Sequence, residues 1–246
     1  MRRLFHEPVH CHPVLLLALE TATDTCGVAV WQDGRVLAQS HLQRPRIHAE
    51  RLTPLVEEVL AHAGADRAAL DAVAVSMGPG SYTGLRIGVS TAKGWALAAD
   101  ADLVGVPTLE AYAASLQPMA APGDIVAALL DARRDEVYAG AYRHTTEGLV
   151  PHADTTALTV DDLPDWLGSV DGQLWVVGDG GEKSRSVLDE VHVPRILSPA
   201  EVSPSAAWVA RRGRARLKEK GPDDRASFEP LYVKEVHATP SPSPFA

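Results

Sequence analysis

The sequence is poor in cysteine and in positive charge, and both shortages narrow the class of protein. Only two of the 246 residues are cysteines, Cys11 and Cys26, so a disulfide framework or a four-cysteine zinc site cannot form within the chain. Low cysteine use favours a reducing compartment, and we expect a cytoplasmic protein. The formal net charge is −9, which makes the chain by itself a poor binder of nucleic acid, because phosphate contacts need a basic face.

Long hydrophobic runs are also missing. No apolar stretch approaches the roughly 20 residues of a membrane-spanning helix, and Arg2 and Arg3 are not followed by the apolar segment of a signal peptide. We therefore expect no membrane partner. With 46% hydrophobic and 22% charged residues, the composition is that of an ordinary globular protein.

The patterns that are present predict strands and helices in two similar halves. The first half contains the strand patterns "VLLLALE", "GVAVWQ" and "RVLAQSH", with a hairpin signal at Asp33-Gly34. A helix pattern follows over 46–64, although Pro54 predicts that its regular part begins only there. "DAVAVSM", a helix over about 82–99, "DLVGVP" and the helical "TLEAYAASL" complete this half. The second half repeats three strands, a helix and a strand, and ends in a helix over 203–220 and a last extended piece, "EPLYVKE".

This order predicts an α/β protein with two lobes of the actin-like/sugar-kinase (ASKHA, ribonuclease H-like) architecture, because a hairpin start argues against a purely parallel sheet. The proline-rich linker "QPMAAPGD" marks the domain boundary. We expect a disordered extension over 1–13, one lobe over 14–116, a second lobe with the C-terminal helix over 117–236, and a disordered tail over 237–246.

Motifs for metal or nucleophilic catalysis are absent from the sequence. The zinc pattern H-E-x-x-H does not occur, since the residue four positions after His48 is Leu52, and there is no G-x-S-x-G nucleophile elbow. His6, His10, Cys11 and His12 invite a metal interpretation, but a solvated tail is the more common explanation because no second ligand pair follows. We predict no catalytic residue and no metal ligand.

The stretch "GPGSYTGLRIG", residues 78–88, lies between a predicted strand and a predicted helix. A helix N-terminus attracts anions through its free amides, so a nucleotide or anion loop would comprise Gly78, Gly80, Ser81 and Thr83. Glu20 and Asp24 of the first hairpin would then hold a hydrated Mg²⁺, although turn formation is the simpler role for Asp24. The glycine spacing fits neither the P-loop nor the dinucleotide pattern.

The helix after this loop carries a stripe of small residues, which recur every four positions at Gly84, Gly88, Ala92 and Ala96. Glycine inside a helix costs about 1 kcal/mol relative to alanine, so close approach of another backbone is the expected compensation. Two alternatives remain open from the residues alone. The stripe either packs on the chain's own sheet or contacts a helix of another chain.

Four stretches in this order resemble the TsaB (YeaZ) family: "LALETATDTCGVAV", "HAERLTPLVEEVL", "GPGSYTGLRIGVSTAKGWA" and "GVPTLEAYA". The resemblance covers residues 14–116 and is diffuse beyond them, apart from "PLYVKE" near the end. It implies the two-lobed actin-like fold and a place in the bacterial machinery that attaches threonylcarbamoyl to the adenosine at position 37 of tRNA. The family usually has Asp where this chain has Glu20.

The resemblance further implies a non-catalytic scaffold subunit that pairs with TsaD, a metal-dependent catalytic paralogue, through two helices of the first lobe. TsaE, a small P-loop ATPase, would join them, tRNA would bind through the complex, and the same face would allow a homodimer. ATP and a divalent metal would then belong to the partner subunits. The expected partner interface comprises Leu52, Leu55, Val56, Val59, Gly84, Leu85, Gly88, Ala92, Trp95 and Ala96.

Two other functions stay open. The first is an actin-like ATPase or phosphotransferase that binds nucleotide at the Glu20/Asp24 hairpin and the Gly78–Gly84 loop. The second is RNA contact through the basic helix segment "RRGRARLKEK", residues 211–220, although its charges spread around the helix and a solvated face is more usual.

Overall fold

The computed structural model describes residues 14–190 and 193–234. The expectations for the N-terminal extension with its three histidines, and for the tail over 237–246, lie outside the described residues. The first half contains β1 (Leu15–Glu20), β2 (Thr25–Gln32), β3 (Arg35–Gln43), α1 (His48–Ala63), β4 (Ala72–Gly78), α2 (Tyr82–Ala99), β5 (Asp102–Pro107) and α3 (Thr108–Ser115). The second half contains β6 (Ile125–Asp131), β7 (Glu136–Thr145), β8 (Gly148–Thr159), α4 (Leu163–Leu167), β9 (Leu174–Val177), α5 (Arg185–Asp189), β10 (Arg195–Leu197) and α6 (Ala206–Lys220).

Two five-stranded sheets form the framework, in the orders β3-β2-β1-β4-β5 and β10-β9-β6-β7-β8. In each sheet the first three strands of the half run antiparallel, and the later strands add in parallel to the first one. The matching orders confirm the two similar lobes of the actin-like/sugar-kinase architecture. The predicted hairpin at Asp33-Gly34 is present, with Gln32 opposite Arg35.

The first sheet is covered by helices on both faces, which explains why all six residues of β1 are buried. Leu17 and Leu19 of β1 join a core cluster with α1 and α2 on one face. Leu16 and Ala18 face the other way and pack against Val209 and other small residues of α6.

Helix α6 does not pack with the half of the sequence to which we assigned it, and α3 packs mainly outside its own half. Leu109 and Tyr112 of α3 pack on the second sheet, against Val126 and its neighbours, whereas Ala111 of the same helix joins the first-sheet cluster with α6. Helix α6, assigned to the second lobe, completes the first, and at its Gly213 a Cβ would lie 2.7 Å from the Cβ of Ala74. The linker after residue 116 marks a turn of the chain, but it does not decide which sheet a neighbouring helix covers.

Pro54 does not delay the start of α1, which begins at His48 and contains the proline within it. Proline removes one backbone donor, and the loss falls on the exposed side of the helix. The opposite side buries Leu52, Val56 and Val59 in the core. Burial of the apolar side therefore outweighs the lost hydrogen bond. Gly64 ends the helix in the left-handed region, as predicted, at φ 63°.

Ion pairs between Glu110, Arg212 and Arg216, which we call the Glu110 clasp, join α3 to α6. The guanidinium of Arg212 on α6 pairs with the carboxylate of Glu110 on α3, and Nη1 of Arg216 lies 3.4 Å from the same carboxylate. Nε of Arg216 also donates to the carbonyl of Gly105, at 2.8 Å. The three side chains are only 13–18% exposed, so the pairs are much less screened than surface pairs.

We expect Glu110→Gln to lower the free energy of unfolding by roughly 3 kcal/mol, because it leaves two largely buried guanidinium groups without a counter-charge. Urea denaturation checks this value. Glu219→Gln is the matched control, since Glu219 is exposed on α6, the helix that carries the two arginines, and its change should fall within about 0.5 kcal/mol of the wild type. Equal stability of the two variants would contradict the prediction.

Candidate functional site

A cleft of about 580 Å³ lies between the two lobes. The first lobe contributes the turn after β1 and the segment 79–83 that leads into α2. The second lobe contributes Tyr138, Asp179 and residues at the end of β6 and just after it, and the segment after α6 adds 231–234. A concave site at a lobe boundary is a usual place for a ligand.

The glycine-rich loop is built for close approach to the turn after β1. At Gly80 a Cβ would lie 2.2 Å from the carbonyl oxygen of Ala22, so only glycine fits there. The amide of Ser81 donates to that same carbonyl at 2.7 Å, and its Oγ accepts from the amide of Gly84 at 3.3 Å. Two donors of the predicted anion loop are thus engaged within the fold.

The four predicted loop residues occupy two different places. Gly80, Ser81 and Thr83 line the cleft. Gly78 is buried below it, where its amide donates to Oγ1 of Thr108 at 3.1 Å and a Cβ would lie 2.4 Å from the carbonyl of Leu231. Packing against the chain's own backbone accounts for Gly78.

The predicted pair of Glu20 and Asp24 does not share one surface. Asp24 lines the cleft, whereas Glu20 is 1% exposed and accepts a hydrogen bond from the amide of Ala22 at 2.7 Å. Burial raises the pKa of Glu20 to about 7, against the opposing effect of hydrogen bonds from Ala22, Ser76 and Thr23. Its role is therefore to hold the turn after β1, and the sequence alone could not distinguish this from a ligand role.

Two further carboxylates, Asp131 and Asp179, line the cleft. Partial burial raises the pKa of Asp131, but hydrogen bonds from Lys183 and from the amide of Arg133 lower it by more. The pKa of Asp131 is therefore below its usual value. Burial, together with the charges of Asp131 and Asp24, raises the pKa of Asp179. A phosphate group entering this cleft would meet these three carboxylates and two cations, Arg133 and Lys234. Within 14–190 and 193–234, no group of three or more His, Cys, Asp or Glu residues is arranged to hold a metal ion.

The residues predicted for a partner interface instead build the core of the chain. At Gly84 a Cβ would lie 2.1 Å from the carbonyl oxygen of Thr21, and at Gly88 it would lie 2.0 Å from Oγ1 of Thr21. Ala92 and Ala96 are fully buried. Leu52, Leu55, Val56, Val59 and Leu85 are also buried in the chain, and Trp95 packs partly against the same core. The first alternative for the stripe, packing on the chain's own fold, is therefore the correct one.

A second stripe on α2 is the one that reaches solvent. It runs along Thr83, Ile87, Ser90, Gly94 and Leu97, with spacings of four, three, four and three residues, and all but the partly buried Ile87 are exposed. Leu97 is 72% exposed, and no atom lies within 4 Å of a Cβ built at Gly94. Sequence reasoning chose the neighbouring stripe because small residues mark close packing without saying what they pack against.

The remaining candidates have structural partners. His48 is buried, and its Nε2 lies 3.1 Å from the carbonyl of Thr25. Burial raises the pKa of Cys26 to about 11, so its thiol is not a reactive thiolate at neutral pH. In the basic helix, Arg212 and Arg216 are engaged with Glu110. None of the described helices is long and apolar enough to cross a membrane.

Two lobes that each open with three antiparallel strands, with a cleft between them, define the actin-like/sugar-kinase class. A family model described as TsaD, tRNA N6-adenosine threonylcarbamoyltransferase, matches residues 36–173. An Escherichia coli K12 protein described as tRNA threonylcarbamoyladenosine biosynthesis protein TsaB is 32% identical over 228 residues, which cover 89% of this chain and 94% of that protein. The chain belongs to the TsaB (YeaZ) family.

Two further relatives agree over nearly the whole chain. An uncharacterised protein of Mycobacterium tuberculosis H37Rv is 40% identical over 227 residues, which cover 92% of this chain and 94% of that protein. The solved structure of YeaZ from Pseudomonas aeruginosa has a TM-score of 0.77 at 27% identity, and it covers 89% of this chain and 99% of that one. The similarity thus extends through the second half, where the sequence motifs are diffuse.

We expect Gly84→Ala and Gly94→Ala to change stability in opposite directions. The methyl group at position 84 would collide with the backbone carbonyl of Thr21, and the free energy of unfolding should fall by about 1–3 kcal/mol. The methyl group at position 94 meets nothing, and stability should rise by about 0.5–1 kcal/mol through helix propensity. Urea denaturation measures both values, and a gain at position 84 would overturn this account of the buried stripe.

We expect Glu20→Gln to remove one component of the pH dependence of stability. In the folded chain Glu20 holds its proton up to about pH 7, against an ordinary pKa of 4.5. The unfolded state therefore binds fewer protons between these values, and the wild type loses stability as pH rises through that window. The cost is on the order of 3 kcal/mol, at about 1.4 kcal/mol per tenfold change in proton affinity. Urea denaturation at pH 5 and pH 8 should show the variant gaining on the wild type, and a constant difference would contradict the assignment.

Proposed function

We propose that this protein acts in the biosynthesis of tRNA threonylcarbamoyladenosine as a non-catalytic scaffold subunit that pairs with a TsaD-like catalytic subunit. The name of the E. coli relative, at 32% identity over 89% of this chain, supports the pathway. The exposed stripe of α2 is the observation that carries the pairing. Its side chains are mostly small, with Ile87 and Leu97 as the apolar ones, and the other stripe of small residues on this helix is already buried.

The non-catalytic role rests on the chemistry of the candidate groups. The ring of His48 is buried against a backbone carbonyl, the thiol of Cys26 is neutral, and the carboxyl of Glu20 is enclosed in the core. None of these groups faces a site where a substrate could react. In this proposal the ATP and the divalent metal are bound by the TsaD-like subunit and a TsaE-like P-loop ATPase.

The proposed partner face is suited to a helix–helix contact. Thr83, Ser90 and Gly94 are small, so a partner helix can approach the backbone of α2 closely. Leu97 then supplies an exposed apolar side chain at the end of the stripe, 72% exposed in this chain. The same face on a second copy would be self-complementary, so a homodimer would compete with the heterodimer for it.

Contact with tRNA is proposed to occur through the complex. The net charge of −9 opposes strong binding by this subunit alone. Arg212 and Arg216 of the basic helix are paired with Glu110, which leaves fewer free charges along 211–220. Isolated chain that bound tRNA with a steep salt dependence would favour direct RNA contact instead.

We expect Leu97→Glu to weaken binding of the TsaD-like subunit at least tenfold, because a charge would be buried in an apolar contact. Met119→Glu is the matched control. Met119 is a comparably exposed apolar residue, 51% exposed, in the segment before β6, and its substitution should leave affinity unchanged. Isothermal titration of the two purified subunits gives both values, and native affinity of the Leu97→Glu variant would refute the proposed face.

The alternative of a nucleotide-dependent enzyme is tested on the isolated chain. Asp24, Gly80, Ser81 and Thr83 line a cleft of sufficient size, although the amides of Ser81 and Gly84 are already engaged within the fold. On the scaffold proposal we expect no saturable binding of ATP with Mg²⁺ by the chain alone. Saturable binding that is lost in Asp24→Asn would favour the enzyme.

A further inference from the structure

The chain after α6 runs back over the first lobe, and we call residues 221–234 the strap. Its start is fixed to β5, because the amide of Asp223 donates to the carbonyl of Leu103 at 2.8 Å. The carboxylate of Asp223 accepts from the amide of Gly105 at 2.7 Å. Phe228 is 8% exposed, and its ring packs against Gly105. A Cβ at Gly105 would lie only 2.5 Å from the ring.

The middle of the strap is fastened along α2. Nζ of Lys93 donates to the carbonyls of Ala226 and Phe228, each at 3.1 Å. Nη1 of Arg225 donates to the carbonyl of Ala96 at 3.1 Å. The strap therefore follows α2 from its C-terminal end towards its N-terminal end.

The last described residues of the strap lie at the cleft. The amide of Leu231 donates to the carbonyl of Met77 at 2.7 Å. The ring of Tyr232 lies 5.2 Å from that of Tyr82, and its hydroxyl accepts from Nε of Arg86 at 3.3 Å. Up to Tyr232, these contacts belong to the first lobe.

Lys234 crosses to the second lobe. Its Nζ donates to the carboxylate of Glu136 at 2.6 Å and to the carbonyl of Ala132 at 3.2 Å, and it lies 5.7 Å from the centre of the Tyr138 ring. Between the described part of the strap and the second lobe, both of the hydrogen bonds found are made by Lys234.

We propose that Lys234 is a reversible latch that holds the two lobes closed over the cleft. The Lys234 and Glu136 side chains are 28% and 36% exposed, so the pair is open to water and salt and is weaker than a buried one. A contact of this strength can be broken and remade by salt or by a ligand in the cleft. The Glu110 clasp between α3 and α6 stays joined on release, so the lobes would open by a hinge rather than separate.

Lys183 provides an internal control for this proposal. Its Nζ pairs with the carboxylate of Asp131 and donates to the carbonyls of Arg134 and Glu136, at 3.2 and 2.6 Å. It thus supports the same β6–β7 turn that Lys234 reaches, but it comes from the second lobe itself. We expect loss of Lys183 to weaken contacts within the second lobe and to leave the contacts of Lys234 in place.

The test measures the distance between the lobes in the full-length chain. Spin labels are placed at Arg44→Cys and Ser186→Cys, which are exposed positions in the first and second lobes. Cys11→Ser leaves the buried Cys26 as the one native cysteine. We expect Lys234→Met to broaden the distance distribution and shift it to longer values, measured by pulsed electron paramagnetic resonance. Lys183→Met should leave the distribution unchanged.

A second measurement raises the salt concentration on the wild-type lobes themselves. At 1 M NaCl the screening length falls to about 3 Å, so the wild-type distribution should move towards that of Lys234→Met, while the variant itself should not respond. An unchanged distribution in Lys234→Met, an equal shift in Lys183→Met, or a salt-insensitive wild type would each overturn the latch. These measurements use the chain alone, so they are independent of whether it pairs with a catalytic subunit.

Discussion

The close approach of α2 to the turn after β1 determines much of this structure. Gly84 and Gly88 lie against Thr21 at distances that leave no room for a side chain. Gly80, just before α2, approaches the backbone of Ala22 equally closely. With α2 seated this deeply, its N-terminal end and the turn after β1 together form the first-lobe wall of the cleft, and Glu20 holds that turn from beneath.

The same contact determines which part of α2 is left for other molecules. Once one small stripe is buried, the stripe that ends at Leu97 faces solvent, and the strap secures the helix from its side through Lys93 and Arg225. A helix fixed along its length in this way needs little reordering when it binds, which lowers the entropic cost of association. The strap thus links the proposed partner face to the cleft, because it contacts α2 along its course and ends at Lys234.

Much of the fold could be predicted from the sequence, because strand and helix periodicity are local properties. The two-lobed order, the hairpin at Asp33-Gly34 and the extent of α2 all follow from such patterns. The exchange of α3 and α6 could not be predicted in this way, since it depends on which sheet face remains uncovered. The partner interface could not be predicted for a related reason. Spacing places Gly84 and Leu97 on α2, but tertiary packing determines which stripe is buried and which is exposed. The local sequence around Glu20 likewise does not reveal whether its side chain faces solvent or the core.

The exchange of helices between the lobes has a consequence for how the chain folds. One face of the first sheet is covered by α6, which is among the last elements to be synthesised. Until α6 leaves the ribosome, Leu16 and Ala18 lack most of the helix surface that covers them, although every strand of their sheet is already made. The first lobe therefore cannot finish folding before the second lobe has been translated, and the two lobes should mature together as one cooperative unit.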